Sequence, residues 1–246
     1  MILSSLLLYL GACVMLYACL MASSLVSSTV LHTFLVTLSH VIPILLCLLL
    51  AKRQKENASI KPLRMSRRIA RLTLFSFPFV FGVVLLSALA ASALTSLTQS
   101  GAEAAPTALT WYTFLRHACL TAVLEELFFR LLPMRLFGEK QRAMALVVSV
   151  ITFAIFHAGQ FRFLYAIVAG TLFFVVDTLT ESLLPSIGMH IGVNTLSLLY
   201  TAIAGLPYAI PIFFSVAGAL FIASAIWLFF HRCDIKNALK SKFNFT

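Results

Sequence analysis

Residues 121–133 read T-A-V-L-E-E-L-F-F-R-L-L-P, placing three ionisable side chains, Glu125, Glu126 and Arg130, in a run apolar enough to lie in a bilayer. Each such charge costs at least about 2.5 kcal/mol at the centre of a membrane helix. On a helix, positions four apart share a face, whereas adjacent positions diverge by about 100°. Glu126 and Arg130 therefore face each other, and pairing them lowers the cost of burying both. A structural ion pair accounts for two of the three charges and leaves Glu125 to be explained.

The surrounding chain has the composition of a polytopic membrane protein. Of its 246 residues, 61% are hydrophobic and 11% are charged, against about a quarter charged in soluble domains, and the mean hydropathy is +1.01. The net charge of +10 invites a nucleic-acid reading, but the positions of the cations oppose it. Eight basic residues lie between Lys52 and Arg71, and Arg232, Lys236, Lys240 and Lys242 lie in the C-terminal tail. Both clusters flank apolar runs and lack interleaved aromatics on which bases could stack. The charge belongs at a membrane border. Cys13, Cys19, Cys47, Cys119 and Cys233 show no C-x-x-C spacing and are odd in number, which points to free thiols.

Apolar runs near residues 2–22, 31–51, 72–97, 109–132, 143–157, 163–179, 186–206 and 212–230 predict about eight transmembrane helices in an all-α bundle. Residues 1–108 are expected to form the N-terminal helices with the basic loop 52–71, 109–206 a core that holds the intramembrane charges, and 207–246 the last span and a basic tail. If loop 52–71 is cytoplasmic, loops 133–142 and 180–185 and the tail share that side, and both termini are cytoplasmic. Arg135, Lys140 and Arg142 agree with this assignment, whereas the opposite loops, including 98–108 with its lone Glu103, contain almost no Lys or Arg, Arg162 being the exception.

Two further spacings of four occur inside apolar segments: Phe153 and His157 in F-A-I-F-H, and His190 and Asn194 in H-I-G-V-N. An intramembrane histidine alone is commonly an interhelical hydrogen-bonding residue. Together with the unpaired Glu125, the set suits hydrolysis. Glu125 can take a proton from water, His157 can hold that water, and His190 and Asn194 can donate to the oxyanion that forms on a scissile carbonyl. One difficulty is depth. A fourth helix ending at Leu132 puts Glu125 and His157 at different levels, and they meet if that helix, apolar as far as Phe137, sits lower or tilts, or if the fifth enters late after Arg142.

Glu125-Glu126-x-x-x-Arg130, Phe153-x-x-x-His157 and His190-x-x-x-Asn194, in this order on separate predicted helices, resemble the motif set of the CAAX-protease and bacteriocin-processing (CPBP, or Abi) intramembrane endopeptidases, over residues 110–205. The resemblance implies a peptidase of glutamate type. In it Glu125 and His157 activate water, His190 and Asn194 form the oxyanion site, and Glu126 and Arg130 support them. No cofactor is expected, because the spacings lack the compact H-E-x-x-H arrangement on one helix, with a zinc held by Glu125, His157 and His190 as the alternative. The expected partners are a peptide or membrane-protein substrate and the lipid bilayer, with no nucleic acid. The expected location is the plasma (inner) membrane if the source is bacterial. The rival readings are a proton-coupled transporter, with Glu125, Glu126, Arg130 and Asp177 marking its ion path, a haem or quinone protein with His157 and His190 as axial ligands, which gives Glu125 no task, and a non-catalytic immunity or scaffold protein of the same family.

Overall fold

The computed structural model describes residues 2–51, 67, 70–71, 73–83, 110–157, 162–203, 206 and 208–243. Most of the basic loop 52–71, the second half of the third predicted span, and loop 98–108 with Glu103 lie outside the described residues. Among those described, every regular element is a helix: α1 (Ile2–Ser23), α2 (Thr29–Ala51), α3 (Thr73–Val83), α4 (111–137), α5 (Arg142–Phe156), α6 (Arg162–Thr180), α7 (Leu184–Ile203), α8 (Ala209–Phe230) and α9 (Arg232–Phe243). The all-α expectation holds.

Four stretches, Ile2–Ser23, Thr29–Leu50, Phe163–Thr180 and Pro211–Phe230, are long and apolar enough to cross a membrane, and they mark an integral membrane protein. They coincide with four of the predicted spans. The other four predictions fall on α3, α4, α5 and α7. Of these, α3 and α5 are shorter, and α4 and α7 carry the polar residues of the site. The C-terminal segment, expected to be only a tail, is largely the helix α9.

Helix α4 departs from regular α geometry in two places. Its α turns, Trp111–Thr113, Thr121–Glu126 and Leu132–Phe137, are separated by π turns at Phe114–Leu120 and Leu127–Leu131. In the first π turn, the Thr121 N–H reaches the carbonyl of Arg116 five residues back, and the Thr121 hydroxyl donates to the same oxygen at 2.9 Å. In the second, the Leu132 N–H donates to Leu127 O. Pro133 follows directly and has no N–H to offer Phe129 O, four residues earlier. Ser149 Oγ of α5 and Arg130 Nη1 donate to that carbonyl instead. With the freed oxygen satisfied, the helix runs on past the proline to Phe137.

That continuation resolves the question of depth. Glu125 lies about 18 Å along α4 from Phe137, and His157 about 22 Å along α5 from Arg142, at 1.5 Å per residue. The two helices meet in a tight turn at Gly138, whose φ of 68° and ψ of −175° suit glycine. His190 reaches a similar level because α7 starts inside the bundle, where Ser182, Leu183 and Ser186 are fully buried. Asp177 of α6 accepts the Ser186 N–H at 3.3 Å and so anchors the first turn of α7.

The core joins α1, α2, α4 and α5 through Tyr9, Leu16, Ile44, Phe128, Phe129, Phe137 and Phe153. Helix α1 is fixed by polar contacts as well: Ser5 Oγ donates to Leu136 O at 2.7 Å, and the Tyr9 hydroxyl lies 2.9 Å from Thr152 Oγ1. Close approach explains two of the glycines. A Cβ on Gly192 would overlap the Phe77 ring, and one on Gly170 would press on Phe153 at 3.3 Å. At the basic end of the bundle, Arg142 Nη1 donates to Lys242 O at 2.9 Å, and Lys242 pairs with Glu181. Loops 133–142 and 180–185 and the C-terminal helix therefore meet at one end.

Candidate active site

Adjacent positions on α4 send the two glutamates to different surroundings. Glu126 is fully buried, with its Oε2 3.4 Å from Arg130 Nε, and Arg130 is fully buried too. Ser149 Oγ stands 3.1 Å from Arg130 Nη1, so the carbonyl freed by Pro133 and this hydroxyl hold one end of the guanidinium. Its face is covered by the rings of Phe153 and Phe173, with Cζ 4.5 and 5.9 Å from their centroids. Cation–π contact and desolvation together fix the side chain.

Glu125 faces the other way and keeps 16% of its side chain accessible. Its Oε2 lies 3.7 Å from His157 Nε2 and 3.6 Å from His190 Nε2. The far nitrogen of each imidazole is committed. His157 Nδ1 is 2.8 Å from the carbonyl of Phe153, which can only accept, so Nδ1 carries the proton. His190 Nδ1 is 2.8 Å from Glu126 Oε1, and Glu126, paired with Arg130, accepts there in the same way. These tautomers follow from the hydrogen-bond partners. Each ring then turns its Nε2 toward Glu125, so three polar atoms converge at separations longer than a direct hydrogen bond.

Sequence spacing brought Glu126 to Arg130 but did not show that Glu126 also orients His190, 64 positions away. Phe153 has a dual role: its carbonyl fixes His157 while its ring, 4.2 Å from the His157 ring and 6.0 Å from that of His190, lines the site. Asn194 sits one turn beyond His190 on α7, with Nδ2 donating to the carbonyl of His117 at 3.1 Å. Glu125, Glu126, Arg130, Phe153, His157 and His190 thus form one connected cluster, whereas Asn194 is bonded to the wall contributed by α4. Ser149, Phe173 and Asp177 escaped the sequence reading as site supports. Only Pro133, which releases a carbonyl that something must satisfy, pointed toward the first.

As to metals, no group of three or more His, Cys, Asp or Glu side chains among the described residues is arranged to hold an ion. The described cysteines are free.

The site sits on helices α4, α5 and α7, and the family comparison covers the same helices. Residues 107–196 match the family model described as type II CAAX prenyl endopeptidase Rce1-like. Over that segment the resemblance read from the three motifs holds, and the match supports a CAAX-protease-type function in the membrane. No curated relative and no solved structure matches the chain.

Proposed function

We propose that the protein is an intramembrane endopeptidase that hydrolyses a peptide bond with a water activated by Glu125. The observation that carries the proposal is the convergence of Glu125 Oε2 with the Nε2 atoms of His157 and His190 at 3.6–3.7 Å. That spacing suits a bridging water, which has two O–H groups to donate. One O–H points to Glu125 and the other to His157, which leaves the oxygen lone pair to attack the scissile carbonyl. Glu125 takes the proton of the attacking water and returns it to the leaving amine, so atoms and charge balance. Asn194, through the second N–H of its amide, and His190, protonated at Nε2 from solvent before the attack and keeping that proton when the intermediate collapses, donate to the oxyanion. Glu126, Arg130 and Phe153 position the histidines.

The substrate is a peptide or membrane protein reaching the site from the bilayer or the basic end. The meeting of loops 133–142 and 180–185 with the C-terminal helix supports a shared side for them, taken as cytoplasmic, in the plasma membrane if the source is bacterial. Asp177, which a transporter reading would place on an ion path, accepts the Ser186 N–H and serves as an anchor for α7.

The test uses purified full-length protein in detergent with prenylated and unprenylated C-terminal reporter peptides in heavy-oxygen water. Cleavage that places one solvent oxygen in the new carboxylate and persists in chelator is expected. Cleavage abolished by chelator and restored by zinc would overturn the metal-free mechanism, and no cleavage of any peptide would overturn the peptidase reading.

A further inference from the structure

Away from the peptidase site, a cavity of about 630 Å³ lies among α3, α6, α8 and α9, within the range of about 300–1,000 Å³ usual for ligand pockets. Its walls are apolar, with Phe79 and Val80 of α3, Leu172, Val175, Val176 and Leu179 of α6, and Leu228 of α8. From Leu172 to Leu179 the α6 wall is about 10 Å long. The roof is α9, which follows the apolar span of α8 after one turn and presents Arg232, Lys236 and Lys240 at four-residue spacing, with Ile235 and Leu239 among them. Those cations share a face. The described lining includes no acidic residue. Glu181, in the nearby α6–α7 turn, pairs with Lys242. Arg232 is held by its own helix, donating to Phe229 O at 2.9 Å over the Phe229 ring. Lys236 and Lys240 are exposed at the cavity rim.

An apolar slot on the side of the bundle, roofed by an amphipathic helix with cations at the membrane border, calls for a ligand with a hydrocarbon body and a negative head. We propose that this cavity binds one anionic phospholipid, with an acyl chain between α3, α6 and α8 and its phosphate at Lys236 and Lys240. Basic side chains at a membrane surface attract anionic headgroups, and their methylene stems lie along apolar surface while the charges reach the head. Charge complementarity selects the occupant. A zwitterionic lipid would fill the slot without satisfying the rim, and an acidic peptide would satisfy the rim without filling the slot.

Trp227, on α8 beside Leu228 and stacked on Phe75 at 4.7 Å between ring centroids, reports on the site. In a Trp111→Phe background it is the sole tryptophan, since the chain has two. The delipidated full-length protein in detergent is titrated with phosphatidylglycerol or phosphatidylcholine carrying the same brominated acyl chains, and quenching of Trp227 is followed. Saturable quenching at lower concentration by phosphatidylglycerol is expected. Lys236→Gln with Lys240→Gln should raise its midpoint on the order of thirtyfold, about fivefold per lysine, and Lys236→Arg with Lys240→Arg should restore it. Val175→Phe, which fills the slot, should weaken both lipids. Helical circular dichroism equal to the parent's qualifies each variant, and the arginine pair covers a glutamine pair that fails to fold. Equal midpoints for the two lipids, or no change in the glutamine variant, would overturn the proposal in favour of ordinary annular lipid. Displacement by inorganic phosphate or an acidic peptide would overturn it in favour of a headgroup-only or peptide site.

Discussion

At the residue scale, His190 stands between the two glutamates, with Glu126 on Nδ1 and Glu125 facing Nε2. A sequence can show half of this. Spacing four on a helix makes the Glu126–Arg130 pair legible, because both residues belong to one rod whose periodicity is known. The Glu126–His190 contact joins different helices, and no local rule gives that distance. The same limit applies to Ser149 and Phe173, ordinary residues in apolar helices until the Arg130 guanidinium is seen against them. Because Arg130 is fully buried beside Glu126, Arg130→Ala leaves an uncompensated buried carboxylate and should cost about 3–5 kcal/mol. A lowered thermal-unfolding midpoint together with lost activity is expected, and an unchanged midpoint would mean that the pair is not sealed from solvent.

At the element scale, α4 shows why the predicted end at Leu132 fell short. A proline ordinarily stops a helix because it removes a donor and crowds the preceding turn. Here π turns and the Ser149 hydroxyl absorb both effects, and the helix gains another turn and a half. That extra length carries Glu125 to the level of His157, so the depth conflict in the sequence came from a boundary and not from the chemistry. The turn that follows depends on Gly138, with a positive φ that a side chain tolerates poorly. Gly138→Ala should destabilise the protein by about 1–3 kcal/mol, measured as a lower unfolding midpoint in detergent. The loss should be shared by any other non-glycine residue there. Ser149→Ala removes a donor to Phe129 O and should lower kcat with little change in KM, because it loosens Arg130 and Phe153 without touching substrate.

At the scale of the whole molecule, hydropathy made the helical class and the long spans legible, since burial in lipid is a property of composition. The C-terminal helix was less legible. The segment was read as a tail because the pairing of Lys242 with Glu181, and the bond from Arg142 to Lys242 O, depend on distant loops folding to the same end. The orientation can be tested on the exposed Cys233 of α9. In intact cells, a membrane-impermeant maleimide should leave Cys233 unmodified, and permeabilisation should expose it, as read by peptide mass spectrometry. Labelling in intact cells would reverse the topology.

The most direct test of the central claim is the rate at which purified Glu125→Gln cleaves a reporter peptide that the parent protein cleaves. Glutamine keeps the size and most contacts of the side chain but cannot accept the proton of the attacking water. The account predicts turnover at background with an unchanged unfolding midpoint; turnover comparable to the parent's would contradict it.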